Sequence, residues 1–311
     1  MLQIIAGSGA PRLGRDVALQ LKAPVMEFQT RRFPDGERYV KLNGSCKGNA
    51  VAIVQSTYKE PDELLMEFVM LADAAHGDGA SKVIGVFPYL AYLRQDMRFH
   101  HGEALSSQVF ARLVNSSDIS KLITLDPHLH RIHDLKQLFH IPTMNLSAMP
   151  ALASYLSEHA KLVNPVVVAP DEEASQWASK VAAQLKTEYI IARKVRLGDE
   201  SVDIEFRGPE ISHRDVVIVD DIVSTGGTVA KMAVALRKLS VGRITILTTH
   251  GLFTQGAYHR IRTSGVDDVV ATDSVPNEYA FVGVAPIIAS GLLAASASGR
   301  RLRKASRTLG P

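Results

Sequence analysis

A single cysteine, Cys46, stands among the 311 residues, which excludes an intrachain disulfide framework and leaves an ordinary free thiol. No apolar run reaches the roughly 18 residues that a membrane-spanning helix needs. Residues 1–7 put no basic stretch ahead of an apolar one, as a secretory signal would. The chain is therefore expected to be soluble and cytoplasmic, with no membrane partner. Nor is there a general excess of positive charge to suggest a nucleic-acid partner. Arg300, Arg301, Arg303, Lys304 and Arg307 are followed and separated by no acid, and these five account for more than the net +3, leaving −2 for the rest. The basic balance belongs to the end of the chain and reads as a solvated extension.

What the chain does have is a segment at residues 216–228, VVIVDDIVSTGGT. Val216, Val217, Ile218 and Val219 are all β-branched and predict a strand buried on both faces, as in the middle of a parallel sheet. Asp220 and Asp221 follow where that strand is expected to end. After them come Ser224, Thr225, Gly226, Gly227 and Thr228, then Val229, Met232, Ala233, Leu236 and Leu239 at helical spacing. The glycines permit positive φ and close backbone approach. The hydroxyls add donors to the free N–H groups of a helix N-terminus, a combination that suits a phosphate monoester. The two carboxylates would repel that anion, so they are expected to accept hydrogen bonds from sugar hydroxyls or to help hold a divalent metal. A tight connection with two capping acids explains an isolated Gly-Gly or Asp-Asp, but the full order of strand, acids and hydroxyl-glycine turn is a far rarer coincidence.

At this length the chain has room for two cores. Apolar segments at 2–6, 51–54, 82–87, 121–125, 166–169 and 189–196 predict strands, and periodic stretches at 13–21, 61–75 and 151–159 predict helices. The segments 51–87 and 216–249 share one order: strand, Ser-Thr turn, helix, strand, with Val51 matching Val216 and Lys82 matching Arg243. This reads as two diverged copies of one α/β unit. Only the second carries the acid pair and double glycine. With Pro150 marking a hinge over 145–151, the expected domains are 1–146 and 147–293, followed by a basic tail at 294–311.

Other polar clusters fall at predicted turns and strand ends, the edge at which open α/β sheets bind ligands. Residues 31–37, RRFPDGE, read as a Pro-Asp-Gly hairpin turn between strands at 25–29 and 38–42. Residues 88–101 read PYLAYLRQDMRFHH, and Asp126, Pro127 and His128 follow another strand. His128, His130 and His133 lack the His-Glu-x-x-His spacing and a partnering cysteine, so zinc is not expected. Pro170 and Asp171 close a further strand. Lys194 and Arg196, two apart in a strand, share a face and could reach one anion.

Residues 216–228 resemble the phosphoribosyl diphosphate (PRPP) binding motif of type I phosphoribosyltransferases and of ribose-phosphate pyrophosphokinases. Four further stretches resemble the pyrophosphokinases in particular: Phe33 to Glu37, Tyr92 to Asp96, Asp126 to His128, and Lys194 with Arg196. The likeness runs over about residues 2–293. It implies an α/β fold of two tandem phosphoribosyltransferase-like (type I) domains, each a mostly parallel sheet flanked by helices. It also implies the reaction: the diphosphoryl group of ATP passes to the C1 hydroxyl of ribose 5-phosphate, giving PRPP and AMP. A phosphoribosyltransferase or a non-catalytic regulatory homologue are the alternatives.

On this resemblance Phe33, Asp35, Glu37, Arg94, Gln95 and His128 bind ATP, and the hairpin residues reach it from a neighbouring subunit of a homo-oligomer. Asp220, Asp221, Ser224, Thr225, Gly226, Gly227 and Thr228 bind ribose 5-phosphate. His128 and Asp171 hold Mg2+. Lys194 and Arg196, with His128, are the catalytic residues, and the first two open a mobile lid running to about Arg207. Three positions differ from the resembled pattern: Phe99 where some members have an acid, Arg131 where many have glutamine, and Glu173 with Ala174 where many have two glycines.

Overall fold

The computed structural model describes residues 1–132, 134–196 and 202–307, without the side chains of 194–196, 202, 203, 207 and 297–307. The chain divides into two compact units, Met1–Leu146 with Val284–Pro311, and Ser147–Gly283.

In the first unit the order is β1 (Leu2–Ala6), α1 (Pro11–Leu21), β2 (Phe28–Arg32), β3 (Arg38–Leu42), β4 (Ala50–Val54), α2 (Pro61–Gly77), β5 (Lys82–Phe87), α3 (Ser106–Asn115), β6 (Lys121–Leu125), a 3-10 turn at Leu135–Gln137 and β7 (Thr143–Leu146). The main sheet runs β1-β4-β5-β6-β7, all parallel, while β2 and β3 pair antiparallel as a separate hairpin. Strand β4 is Ala-Val-Ala-Ile-Val with four residues fully buried, as a parallel strand covered on both faces requires. Helix α2 starts with Pro61, whose fixed φ suits the first turn, and Asp62 and Glu63 there favour the positive end of the helix. It packs Leu64, Leu65, Phe68 and Leu71 into the core. Cys46 is fully buried, and burial, followed by the hydrogen bond and charge of Asp78, pushes its thiol up to about 11, so it is a neutral core residue at ordinary pH.

The second unit contains α4 (Met149–His159), β8 (Val166–Ala169), α5 (Ser175–Leu185), β9 (Tyr189–Arg196), β10 (Val202–Arg207), β11 (Val216–Val223), α6 (Gly227–Lys238), β12 (Ile244–Gly251), α7 (Ala257–Thr263), β13 (Asp268–Thr272) and β14 (Ala280–Val282). Its sheet runs β10-β9-β8-β11-β12-β13-β14, parallel except for the edge pair β9-β10. The period-two alternation of β8 and β11 sends Val166, Val168, Val216 and Ile218 into one core and Val167, Ala169, Val217 and Val219 into another, on the opposite face.

The strand order β1-β4-β5-β6-β7 repeats as β8-β11-β12-β13-β14, so the duplication inferred from sequence is present in the topology. One expectation about the end of the chain needs correcting. Residues 284–293, assigned to the second domain, belong to the first compact unit. The basic stretch, read as a solvated extension, continues one helix, α8 (Ala285–Arg307). Val284, Ala285, Ile288, Leu292 and Ala295 are buried, and α8 packs on α1, β6 and β7. Alanine, leucine, arginine and lysine are strong helix formers and no proline interrupts the helix beyond its first turn, so it runs on through Gly299 into the basic stretch. No helix among the described residues is long and apolar enough to cross a membrane.

Candidate active site

Strand β11 does not end before the acid pair; it runs through Asp220 and Asp221 to Val223. Successive strand residues point to opposite faces, and the two acids differ accordingly: Asp220 is half-buried and Asp221 is 1% exposed. Their carboxylates also serve the backbone locally. Asp220 Oδ1 accepts the N–H of Asp221 at 3.0 Å, and Asp221 Oδ1 accepts the N–H of Ile222 at 2.9 Å.

The turn that follows is built as the sequence suggested, but with unequal glycines. Gly226 caps α6 at φ 72°, in the left-handed region. A Cβ there would also lie 2.9 Å from Ile261 Cγ1 and 3.2 Å from the Ala257 carbonyl oxygen. Gly227 has no positive φ, and a Cβ on it would meet only Thr225 Oγ1, at 3.8 Å. The space in front of Gly227 is open. It forms part of a cavity of about 360 Å³ lined by Pro170, Ile204, Thr225, Gly227, Thr228, Lys231 and Met232. Exposed Thr225 and Thr228 offer hydroxyls, and the free N–H groups at the start of α6 supply a positive potential. Ser224 instead pairs with Thr254 Oγ1 at 3.3 Å. Arg260 donates to the Thr225 carbonyl and holds the outer side of the turn.

Lys231 was not foreseen. It lies one helical turn beyond Gly227, and that i, i+4 relation was the available signal. Asp171 follows β8, whose register with β11 pairs Val168 with Ile218, so Asp171 stands at the same carboxyl edge of the sheet as the acid pair. Its Oδ1 accepts the N–H of Ala174 at 3.0 Å.

Lys194 and Arg196 belong to β9 by backbone, and their side chains lie outside the described residues, as do residues 197–201 of the expected lid and His133. Beyond that point the expected loop gives way to a strand. Residues 202–207 form β10, paired antiparallel with β9 in a register that puts Ile204 opposite Lys194. Val202, Ile204 and Phe206 alternate with charged residues, and Ile204 and Phe206 pack against the core. Such an alternation is what a strand with one buried face requires.

In the first unit, Phe33, Asp35 and Glu37 occupy the tip of the β2-β3 hairpin, all exposed. The Phe33 N–H donates to the Glu37 carbonyl at 2.8 Å, and Asp35 Oδ1 accepts the Glu37 N–H at 3.1 Å. The Arg31 guanidinium lies 4.4 Å from the Phe33 ring centroid and 4.6 Å from that of Tyr39. Arg94 is exposed and Gln95 half-buried in the segment after β5, anchored by buried Leu90 and Leu93.

That segment is tied to the one after β6. Asp96 accepts the Arg131 N–H at 2.9 Å and its guanidinium at 2.9 Å. The link brings the Arg94–Gln95 motif beside the stretch carrying His128, whose ring lies tilted at 46° to that of His130 with centroids 4.0 Å apart. Burial pushes the Asp96 carboxyl up, but the Arg131 N–H and guanidinium together outweigh it and hold the group below its usual range. Two of the departures noted in the sequence meet here, with Arg131 lying over the Phe99 ring at 5.7 Å.

A parallel sheet whose central strand carries two acids into a hydroxyl-glycine turn and a glycine-capped helix defines a sugar-phosphate-binding enzyme of the phosphoribosyltransferase type. Residues 2–117 match the family described as the N-terminal domain of ribose phosphate pyrophosphokinase, and residues 134–285 match the phosphoribosyl transferase domain. The ribose-phosphate pyrophosphokinase of Methanopyrus kandleri is 39% identical over 93% of this chain and 98% of its own length. That of Methanothermobacter thermautotrophicus is 36% identical over 92% and 98%. The crystal structure of phosphoribosylpyrophosphate synthetase from Mycobacterium smegmatis superposes with a TM-score of 0.85 at 26% identity, covering 96% of this chain and 99% of that one. The chain belongs to the ribose-phosphate pyrophosphokinase family, and its activity is the synthesis of PRPP.

Proposed function

We propose that the chain transfers the β,γ-diphosphoryl group of ATP to the C1 hydroxyl of ribose 5-phosphate, and that the residues named above divide the work by unit. The observation that carries this reading is the open space in front of Gly227 at the start of α6. A 5-phosphate placed there would accept the helix N–H groups and the hydroxyls of Thr225 and Thr228, with Lys231 balancing its charge. Ser224 and Gly226 shape the turn. Asp220 accepts hydrogen bonds from the ribose hydroxyls, and buried Asp221 supports it through the strand. Phe33, Asp35, Glu37, Arg94 and Gln95 bind the nucleotide, with Arg94 suited to phosphate oxygens by its planar fork.

In the reaction the C1 oxygen attacks the β-phosphorus, the bond from that phosphorus to the α-phosphate's bridging oxygen breaks, and AMP leaves. The protein's part is alignment and charge stabilisation. Lys194 and Arg196 stabilise the charge growing on the bridging oxygen, and His128 acts beside the phosphates.

Mg2+ fits the donor set. Asp171 offers a hard carboxylate, and among the described residues no three His, Cys, Asp or Glu side chains converge to form a protein cage. Magnesium commonly takes one or two carboxylates and fills its shell with water and substrate phosphates. Asp171 and His128 would help hold it, and when bound it neutralises triphosphate charge. The enzyme works as a cytoplasmic homo-oligomer in which the hairpin serves a neighbour's nucleotide site.

Replacing Lys194 with alanine tests the division of labour. Turnover should fall by roughly 10²- to 10³-fold, the usual cost of a lost charge stabiliser, with little change in ATP affinity by equilibrium titration. A near-normal rate removes Lys194 from the mechanism.

A further inference from the structure

Glu67 is a fully buried carboxylate in the middle of α2 that the proposed chemistry does not use. It accepts four hydrogen bonds: from Ser8 N–H at 2.9 Å and Gln55 Nε2 at 3.0 Å on Oε1, and from Ser8 Oγ at 2.9 Å and Arg38 Nη1 at 2.8 Å on Oε2. Three of the four, the Ser8 N–H, Gln55 Nε2 and Arg38 Nη1, can only donate, so the carboxyl oxygens are committed as acceptors.

The topological repeat identifies two of these partners. With Val51 set against Val216, as the sequence repeat has it, the paired registers β1-β4 and β8-β11 make Ser8 the counterpart of Asp171, and Gln55 the counterpart of Asp220. The residues that in the second unit edge the sugar-phosphate site are, in the first, turned onto Glu67. Their turn is closed as well: a Cβ on Gly7 would lie 2.2 Å from Gln55 Oε1, and one on Gly9 only 1.9 Å from the Ser56 carbonyl oxygen. The first copy's ligand edge has become an internal anchor.

The remaining partner, Arg38, starts β3 of the hairpin whose tip carries Phe33, Asp35 and Glu37. A two-stranded sheet is marginal alone. This one is secured by Phe28, Val40 and Leu42 against the core and by an ion cluster with α2, in which Arg38 also meets Glu63 at 3.1 Å and Arg32 pairs with Glu63. Arg38 further donates to Thr30 Oγ1 at 2.9 Å across the hairpin.

We infer that Glu67 is a positioning residue for the nucleotide: through Arg38 it fixes the hairpin on the closed turn of the first unit, and so sets where Phe33, Asp35 and Glu37 present themselves. This rests on the reading that the hairpin binds ATP. Arg38→Met removes the link, together with the Arg38 contacts to Glu63 and Thr30, while leaving Glu67 its Ser8 and Gln55 donors, and Tm reads what the change costs the fold.

The test compares Arg38→Met, Glu67→Gln, the double variant and Phe33→Ala in the full chain, reading KM for ATP, KM for ribose 5-phosphate and Tm. Arg38→Met should raise KM for ATP about tenfold, the size of one lost charge-assisted hydrogen bond, and leave KM for ribose 5-phosphate within about twofold. Glu67→Gln sets an amide N–H against donors; if it folds, the double variant should match Arg38→Met in KM for ATP, because both act through one contact. An unchanged KM for ATP in Arg38→Met, or equal rises for both substrates, overturns the inference. If Phe33→Ala raises KM for ATP while Arg38→Met does not, the positioning role alone fails. If neither does, the nucleotide role of the hairpin fails with it.

Discussion

Gly226 and Gly227 are adjacent, yet they are glycine for different reasons. The first is required by the chain itself, through its left-handed backbone and its contact with Ile261. The second meets nothing in the protein that would exclude a side chain. Gly226→Ala should therefore destabilise the fold by at least about 1–2 kcal/mol, the cost of a left-handed non-glycine residue, read as a lower urea midpoint. Gly227→Ala should keep the wild-type midpoint and raise KM for ribose 5-phosphate, by about tenfold or more if a methyl crowds the phosphate. A normal KM in that variant would contradict the phosphate cradle. At this scale the sequence disclosed which residue types make up the end of β11 and the turn after it but not how they face. The acid pair reads as a unit in the chain, whereas strand alternation gives Asp220 and Asp221 different surroundings. Lys231 is visible only once the helix start is fixed at Gly227.

At the scale of elements, apolar runs were the legible part. The strands Leu2–Ala6, Lys82–Phe87, Lys121–Leu125, Val166–Ala169 and Tyr189–Arg196 fall where β-branched and apolar residues cluster. Less legible were strands with charge in them. Strand β11 continues past its apolar run because Asp220, Ile222 and Val223 still pair along β12, and β10 alternates charge with apolar residues at the sheet edge.

The links between loops were not legible at all, since Asp96 and Arg131 lie 35 residues apart. Their pairing has a pH signature. The Asp96 carboxyl sits below its ordinary 3.8 in the folded protein, so its contribution is complete above the unfolded value and is lost as pH falls through the folded one. Asp96→Asn should lower the urea midpoint at pH 7, and the gap to wild type should narrow below about pH 3.8. A gap that does not depend on pH would mean that the ionised pair is not what joins the loops.

The whole molecule is two copies of one α/β unit, and the chain crosses back to the first at the end. Composition alone separated the basic tail from the rest, because charge changes at Arg300, whereas the helix runs on past Gly299 into it. The return of α8 to the first unit depends on Ile288, Leu292 and Ala295 finding α1, β6 and β7, contacts too distant in sequence for any local pattern to reveal. Leu292→Ala should cost about 2–5 kcal/mol. Hydrogen exchange should place the loss in α1 and β7 of the first unit and spare β11 and β12. Uniform loss over both units would contradict the division of the chain.

The central claim is that the diphosphoryl group moves as one piece to ribose 5-phosphate. Phosphorus NMR of the full chain incubated with ATP, ribose 5-phosphate and Mg2+ tests it most directly. The prediction is AMP and PRPP appearing one to one, and no AMP when ribose 5-phosphate is left out. ADP as the nucleotide product, or AMP formed with free diphosphate and no need for the sugar, would contradict it.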